Sequence, residues 1–119
     1  MVLVDTSVWV AHLRDGNIGL EMLLNDGHVI CHEFIVGELA CGNLKNRTEI
    51  LSLLRALPMA THAEHEEVIQ FLENYRLMGK GLGYIDIHLL TSALLNQFQI
   101  WTLDKKLKEV SLKLGLWFS

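Results

Sequence analysis

The chain has 119 residues, half of them apolar, with a formal charge of −4 and a mean hydropathy of +0.27. That length suits one domain spanning 1–119, with a core that needs no disulfide staples. The acidic balance excludes nonspecific nucleic-acid binding through a broadly basic surface, leaving only local basic points at Lys45 with Arg47, and at Lys105, Lys106 and Lys108. No window reaches the roughly 18 uninterrupted apolar residues of a membrane span. Asp5 interrupts the first apolar run too early for a secretory signal, so a cytoplasmic protein is expected. The high apolar content predicts that some apolar surface is covered by a partner or by self-association. Cys31 and Cys41 have apolar neighbours and no CxxC spacing, which predicts two buried free thiols rather than a disulfide or a zinc ribbon.

In chain order, Val2-Leu3-Val4 is a short apolar run bounded by Asp5-Thr6-Ser7, the signature of a strand buried on both faces of a parallel sheet. Asp5 then stands at that strand's carboxyl end, the edge where open α/β sheets bind ligands; capping of the next helix is the alternative. Helices are predicted over Thr6–Arg14 and Ile18–Asn25, separated by Asp15-Gly16-Asn17. His28–Cys31 is a second strand, and His32 to about Cys41 is helical, stopped by Gly42-Asn43. Asn46–Leu57 is a further helix ended by Pro58, and Leu57–Ala60 a weak third strand. Thr61 and Glu64 have capping-box spacing and open a helix to about Met78 with Val68, Leu72 and Tyr75 on one face. Gly79–Gly83 is a flexible connector; it follows a helix rather than a strand, which argues against a phosphate loop. Tyr84–Gln97 is apolar nearly all round and therefore a central helix. Phe98–Leu103 is a fourth strand, Lys105–Leu114 the last helix and Leu116–Phe118 a closing strand. Strands alternating with helices give the α/β class, a three-layer α/β/α sandwich with a central parallel sheet.

Four carboxylates carry the chemistry. Glu38 has Phe34, Ile35, Cys41 and Gly42 as its helical neighbours, so it is expected on a buried face, where an ion is costly unless paired or bound to metal. Asp86 repeats the pattern with Leu89, Leu90 and Ala93, a helix cap being the alternative. Asp104 follows the fourth strand as Asp5 follows the first, and it too has a capping alternative. One acidic pocket explains all four together. Like charges so close need a cation, and oxygen-only donors select a hard one, Mg²⁺ or Mn²⁺. Such a cluster suits phosphoryl-oxygen chemistry, in which one or two metals activate a water. Thr6, Ser7 and Thr102 flank the aspartates as supporting residues, although Thr6 and Ser7 also suit a first helical turn, bonding to backbone. Zinc chemistry is disfavoured because His32-Glu33-Phe34-Ile35-Val36 fails HExxH at its last position, and His62 and His65 are read as surface residues. No GxSxG marks a serine hydrolase. His88 lies two residues past Asp86 and largely on another face.

With those residues placed, the chain resembles a PIN domain, and more narrowly the VapC-type toxin ribonucleases of toxin–antitoxin pairs. The likeness rests on VLVDTSVW, FIVGELACG, GYIDIHLLTSAL and the TLD after the fourth strand, in the family's order and spacing over essentially the whole chain. It implies that the first and fourth strands are neighbours, and that Asp5, Glu38, Asp86 and Asp104 are the catalytic metal ligands of an endoribonuclease. It further implies a homodimer, an RNA substrate and a cognate antitoxin lying across the first helices, which would account for the apolar surplus. Many relatives have another acidic residue where this chain has Lys106, which implies one firm metal and a weaker, substrate-dependent one. Lys105 and Lys106 are possible RNA contacts. Two alternatives stay open: a PIN nuclease of RNA processing rather than a toxin, and a PIN-like module that binds RNA or protein without cutting.

Overall fold

Val2, Leu3 and Val4 are all buried, which three consecutive residues of a strand achieve only in the middle of a covered sheet. In the computed structural model, which describes all of residues 1–119, this segment is β1 (Val2–Val4), and it is the central strand. It is followed by α1 (Thr6–Asp15), α2 (Ile18–Asn25), β2 (Val29–Ile30), α3 (Glu33–Ala40), α4 (Arg47–Arg55) and α5 (His65–Asn74). The chain closes with α6 (Tyr84–Asn96), β3 (Gln99–Trp101) and α7 (Lys105–Lys113).

The strand order is β2-β1-β3, all parallel, with Leu3 opposite Ile30 on one side and Ile100 on the other. The expected adjacency of the first strand and the strand near residue 100 is therefore present. The expected weak third strand and the expected closing strand are each reduced to a single parallel bridge, Cys31 to Met59 and Ile100 to Trp117, which extend the sheet by one position at each edge. Two backbone bonds hold each: Cys31 N–H to Pro58 O and Ala60 N–H to Cys31 O, then Ile100 N–H to Leu116 O and Phe118 N–H to Ile100 O. The architecture is the expected α/β sandwich, and every crossover between neighbouring parallel strands passes through helix.

Helix α6 is the central helix expected from its composition, with Ile87 through Ala93 all buried. Its two buried hydroxyls are satisfied, Thr91 Oγ1 donating to Ile87 O at 2.7 Å and Ser92 Oγ to Thr61 O at 3.0 Å, whereas the buried His88 Nδ1 has no hydrogen-bond partner. That last bond corrects the expected start of the preceding helix. With the Thr61 carbonyl held by Ser92 and Ala63 buried, the 61–64 segment does not coil, and the helix starts at His65. The capping box lies one turn later than expected, with Glu67 accepting the Glu64 N–H at 2.9 Å. The helix also ends early, at Asn74, because Arg76 takes a left-handed turn (φ 53°) that folds Leu77 into the core. Its buried face is Val68 and Phe71, and Tyr75 is exposed rather than part of it. Cys31 is buried as expected, whereas Cys41, just past the end of α3, is exposed.

Candidate active site at the carboxyl edge of the sheet

All three strands run the same way, so the residues that follow them emerge on one edge. Asp5 follows β1, and its N–H bonds Trp101 O at 2.9 Å, tying it to the end of β3. It occupies the N-cap position of α1 but makes no side-chain cap bond, which removes the capping alternative. The residue is only 7% exposed, and its carboxylate accepts two hydroxyl bonds on the same oxygen, Oδ2. Ser7 Oγ donates at 2.8 Å and Thr102 Oγ1 at 2.7 Å, so Oδ1 is left for another ligand. The two hydroxyls stand 3.2 Å apart and accept backbone N–H groups in turn: Leu103 on Ser7 and Asp104 on Thr102, both at 3.0 Å. The expected support from Thr102 is thus direct. Ser7 serves side chain and backbone together, and Thr6, instead of bonding to backbone, donates to Glu38 Oε1 at 2.8 Å.

Asp104 caps α7, accepting the Leu107 N–H on Oδ1 at 2.8 Å, and is exposed. Asp86 lies in the first turn of α6, half-buried, and accepts the Gly83 N–H on Oδ2 at 3.0 Å. Capping and convergence coincide at these two residues. Burial pushes the Asp86 carboxyl above the ordinary carboxylate range, the charges of Asp5 and Asp104 push it further, and the Gly83 N–H opposes both. Those three aspartates therefore share one electrostatic environment.

Glu38 requires a correction. It is exposed, not buried. Helix α3 packs through Ile35, Val36 and Leu39, and the apolar residues flanking Glu38 are themselves partly or fully exposed at Phe34, Cys41 and Gly42. Apolar neighbours on a helix do not bury a carboxylate when the helix turns that flank to a groove. The Thr6 bond ties Glu38 to the residue that follows Asp5 in the chain.

No three acidic or imidazole side chains stand close enough to grip an ion outright. The donor chemistry nevertheless fits a hard divalent cation: every side chain on offer is a carboxylate, and burial with two like charges nearby raises the Asp86 pKa, which a cation would offset. At the rim, Lys106 lies across the connector before α6. The position a Cβ would take on Gly81 is 2.6 Å from Lys106 Cδ, and Gly81 has a φ of 79° that favours glycine.

A second feature of this edge was not foreseen from sequence. His32 stands two residues past the end of β2, is fully buried, and caps α3 by accepting the Phe34 N–H on Nδ1 at 3.0 Å. That bond assigns the proton to Nε2, which has no partner, and it leaves neither nitrogen free to bind a metal. The His62 and His88 rings lie 5.4 Å and 6.4 Å from it, and burial, then their charges, lower the His32 pKa to about 4. His62 and His65 are exposed, as expected; His88 is buried on another face from Asp86 and stands perpendicular to Tyr84 at 4.6 Å. The sequence signal was available in the position of His32 at the end of a strand.

The PIN domain family model matches residues 2–113. The chain is 42% identical over 117 residues to the protein named Ribonuclease VapC32 in two strains of Mycobacterium tuberculosis, covering 98% of this chain and 94% of each relative. With the parallel sheet, the neighbouring strands and the acidic edge in place, this chain belongs to the PIN domain family.

Proposed function

We propose that the chain is a divalent-metal-dependent endoribonuclease, with Asp5, Glu38, Asp86 and Asp104 as the ligands of Mg²⁺ or Mn²⁺. The observation that carries this reading is the placing of Asp5, Asp86 and Asp104 at one sheet edge, close enough that the charges of the other two add to burial in raising the Asp86 carboxyl above its ordinary range. The name of the relative supports RNA as the substrate. A bound divalent cation supplies the charge that activates a water and offsets charge on the attacking and leaving oxygens of a phosphodiester. The protein does the positioning. Ser7 and Thr102 occupy Asp5 Oδ2 and leave Oδ1 without a side-chain partner, Thr6 steers Glu38, and backbone N–H groups orient Asp86 and Asp104. Lys105 and Lys106, exposed at the rim, contact the RNA phosphates.

The same reading makes the chain a cytoplasmic toxin that dimerises and is held by a cognate antitoxin. No helix is long and apolar enough to cross a membrane. A groove of about 580 Å³ beside Glu38 supports the antitoxin, lined by Val10, Leu13, Arg14, Leu39 and Lys45, so an extended peptide bound there reaches the acidic edge. Exposed leucines at 95, 103 and 112 supply apolar surface for a dimer.

The test is cleavage of RNA by purified protein with Mg²⁺ or Mn²⁺, with EDTA, and with Asp5→Asn and Asp86→Asn. Cleavage that needs the cation and both aspartates supports the proposal. Cleavage unaffected by EDTA, or full activity in either variant, overturns the metal mechanism; RNA bound but never cut favours a binding module. A small adjacent reading frame encoding an antitoxin, with growth arrest on expression of this chain alone, separates a toxin from a processing nuclease.

A further inference from the structure

The chain has nine glycines, and at only one of them would an added Cβ meet another atom closer than 3.0 Å. That one is Gly81, in the connector between α5 and α6. The three nearest atoms all belong to the Lys106 side chain: Nζ at 2.5 Å, Cδ at 2.6 Å and Cε at 2.9 Å. Gly79 has the same left-handed backbone (φ 72° against 79°) with nothing within 4 Å, so the turn by itself does not produce the crowding. Lys106 is exposed and makes no ion pair. An exposed lysine ordinarily keeps much of its rotamer freedom. This one lies with its stem along backbone that any side chain at position 81 would have covered.

The seat joins the supports of two aspartates. Lys106 is the second residue of α7, the helix capped by Asp104, whose Oδ1 accepts the Leu107 N–H at 2.8 Å. Gly81 stands two residues before Gly83, whose N–H donates to Asp86 Oδ2 at 3.0 Å. One side chain therefore runs from the first turn of the helix that carries Asp104 to the connector that holds Asp86. No hydrogen bond or ion pair joins α7 to α6 or to its connector, so packing alone sets their spacing. The two carboxylates are close enough for the Asp104 charge to act on Asp86.

We propose that Lys106 is a positioning residue: its aliphatic stem, seated on Gly81, clamps the connector against α7 and so fixes the separation of the Asp86 and Asp104 carboxylates. Its consequence for metal binding rests on the reading of those two aspartates as ligands; the clamp itself does not. A clamp and a charge have opposite signatures. Removing a positive charge beside carboxylates strengthens their hold on a cation, whereas loosening the support of a ligand weakens it.

Two measurements test this. Exchange of the Gly83 N–H, followed by NMR on the metal-free protein, reports on the connector without metal or RNA, and it speeds up in Lys106→Ala. Titration with Mn²⁺ by calorimetry shows the same variant binding about tenfold more weakly than the parent. Lys106→Met retains a stem of the same length up to Cε and lacks the charge; it shows neither change. Gly81→Ala pushes the stem from its seat, and it costs less affinity in the Lys106→Ala protein than in the parent, since the contact is already gone. Unchanged Gly83 exchange in Lys106→Ala, or Mn²⁺ bound as tightly or more tightly, overturns the proposal. So does a Lys106→Met protein that loses as much as the alanine variant, which would assign the role to the charge. If the parent binds no Mn²⁺ while Gly83 exchange follows the expected pattern, the reading of the aspartates as metal ligands fails and the clamp stands.

Discussion

Thr102 and Asp5, 97 residues apart in the chain, are joined by a buried hydrogen bond of 2.7 Å from the threonine hydroxyl to the aspartate Oδ2. The same hydroxyl accepts the Asp104 N–H at 3.0 Å, so one oxygen sets the distance between the carboxyl ends of β1 and β3. Thr102→Val keeps the shape and removes the hydroxyl. It leaves the Asp104 N–H unpaired and Asp5 with one partner, at a cost of about 1–3 kcal/mol. Urea denaturation will show that loss, with cleavage reduced alongside it; Thr102→Ser restores both. Unchanged stability in the valine variant would contradict the assigned tie.

Asp86 stabilises the metal-free protein least when ionised. Its folded pKa is raised, so its favourable contribution is present at low pH and is lost as pH rises through the folded value. At neutral pH, Asp86→Asn removes that penalty, while the amide oxygen still accepts the Gly83 N–H. The variant therefore melts higher than the parent without divalent cation. Saturating Mg²⁺, about 100 times its Kd, raises the parent by about 2.7 kcal/mol and the variant by much less. Melting curves with and without the ion distinguish this from a simple capping role, for which neither difference arises.

Glu38 is exposed, and only Thr6 holds it. Glu38→Gln accordingly changes the unfolding free energy by no more than about 0.5 kcal/mol. Cleavage nevertheless falls by at least about tenfold, the effect already produced by disturbing the outer partners of a metal. A large loss of stability would point instead to the buried carboxylate expected from its neighbours in the sequence.

His32 makes the protein acid-sensitive. Its pKa is about 4 in the folded protein against an ordinary 6.5, so the unfolded chain binds the proton more readily between those values. The stability this contributes is complete above pH 6.5 and lost as pH falls through 4, on the order of 3 kcal/mol in all. His32→Asn retains an oxygen acceptor for the Phe34 N–H and abolishes that part of the pH dependence. The slope of unfolding free energy against pH between 6.5 and 4 is the measurement, and an unchanged slope refutes the assignment.

The sequence by itself determined the order of elements, the parallel sheet and which four carboxylates to watch, because these follow from short-range signals. Apolar runs stop on Asp5 and near Asp104, helices keep their period, and β1 needs neighbours on both sides to bury all three of its residues. Tertiary structure decided what local pattern does not encode. Glu38 faces a groove because α3 packs through Ile35, Val36 and Leu39; α5 starts at His65 because Ser92 holds the Thr61 carbonyl; and Ser7 and Thr102 meet on Asp5 only because β3 lies beside β1. The histidine cluster beside Tyr84 assembles from β2's end, the 61–64 segment and α6, three places that nothing in the linear spacing of His32, His62 and His88 brings together. Burial and long-range hydrogen bonds depend on which faces meet, and that is settled only when the layers pack.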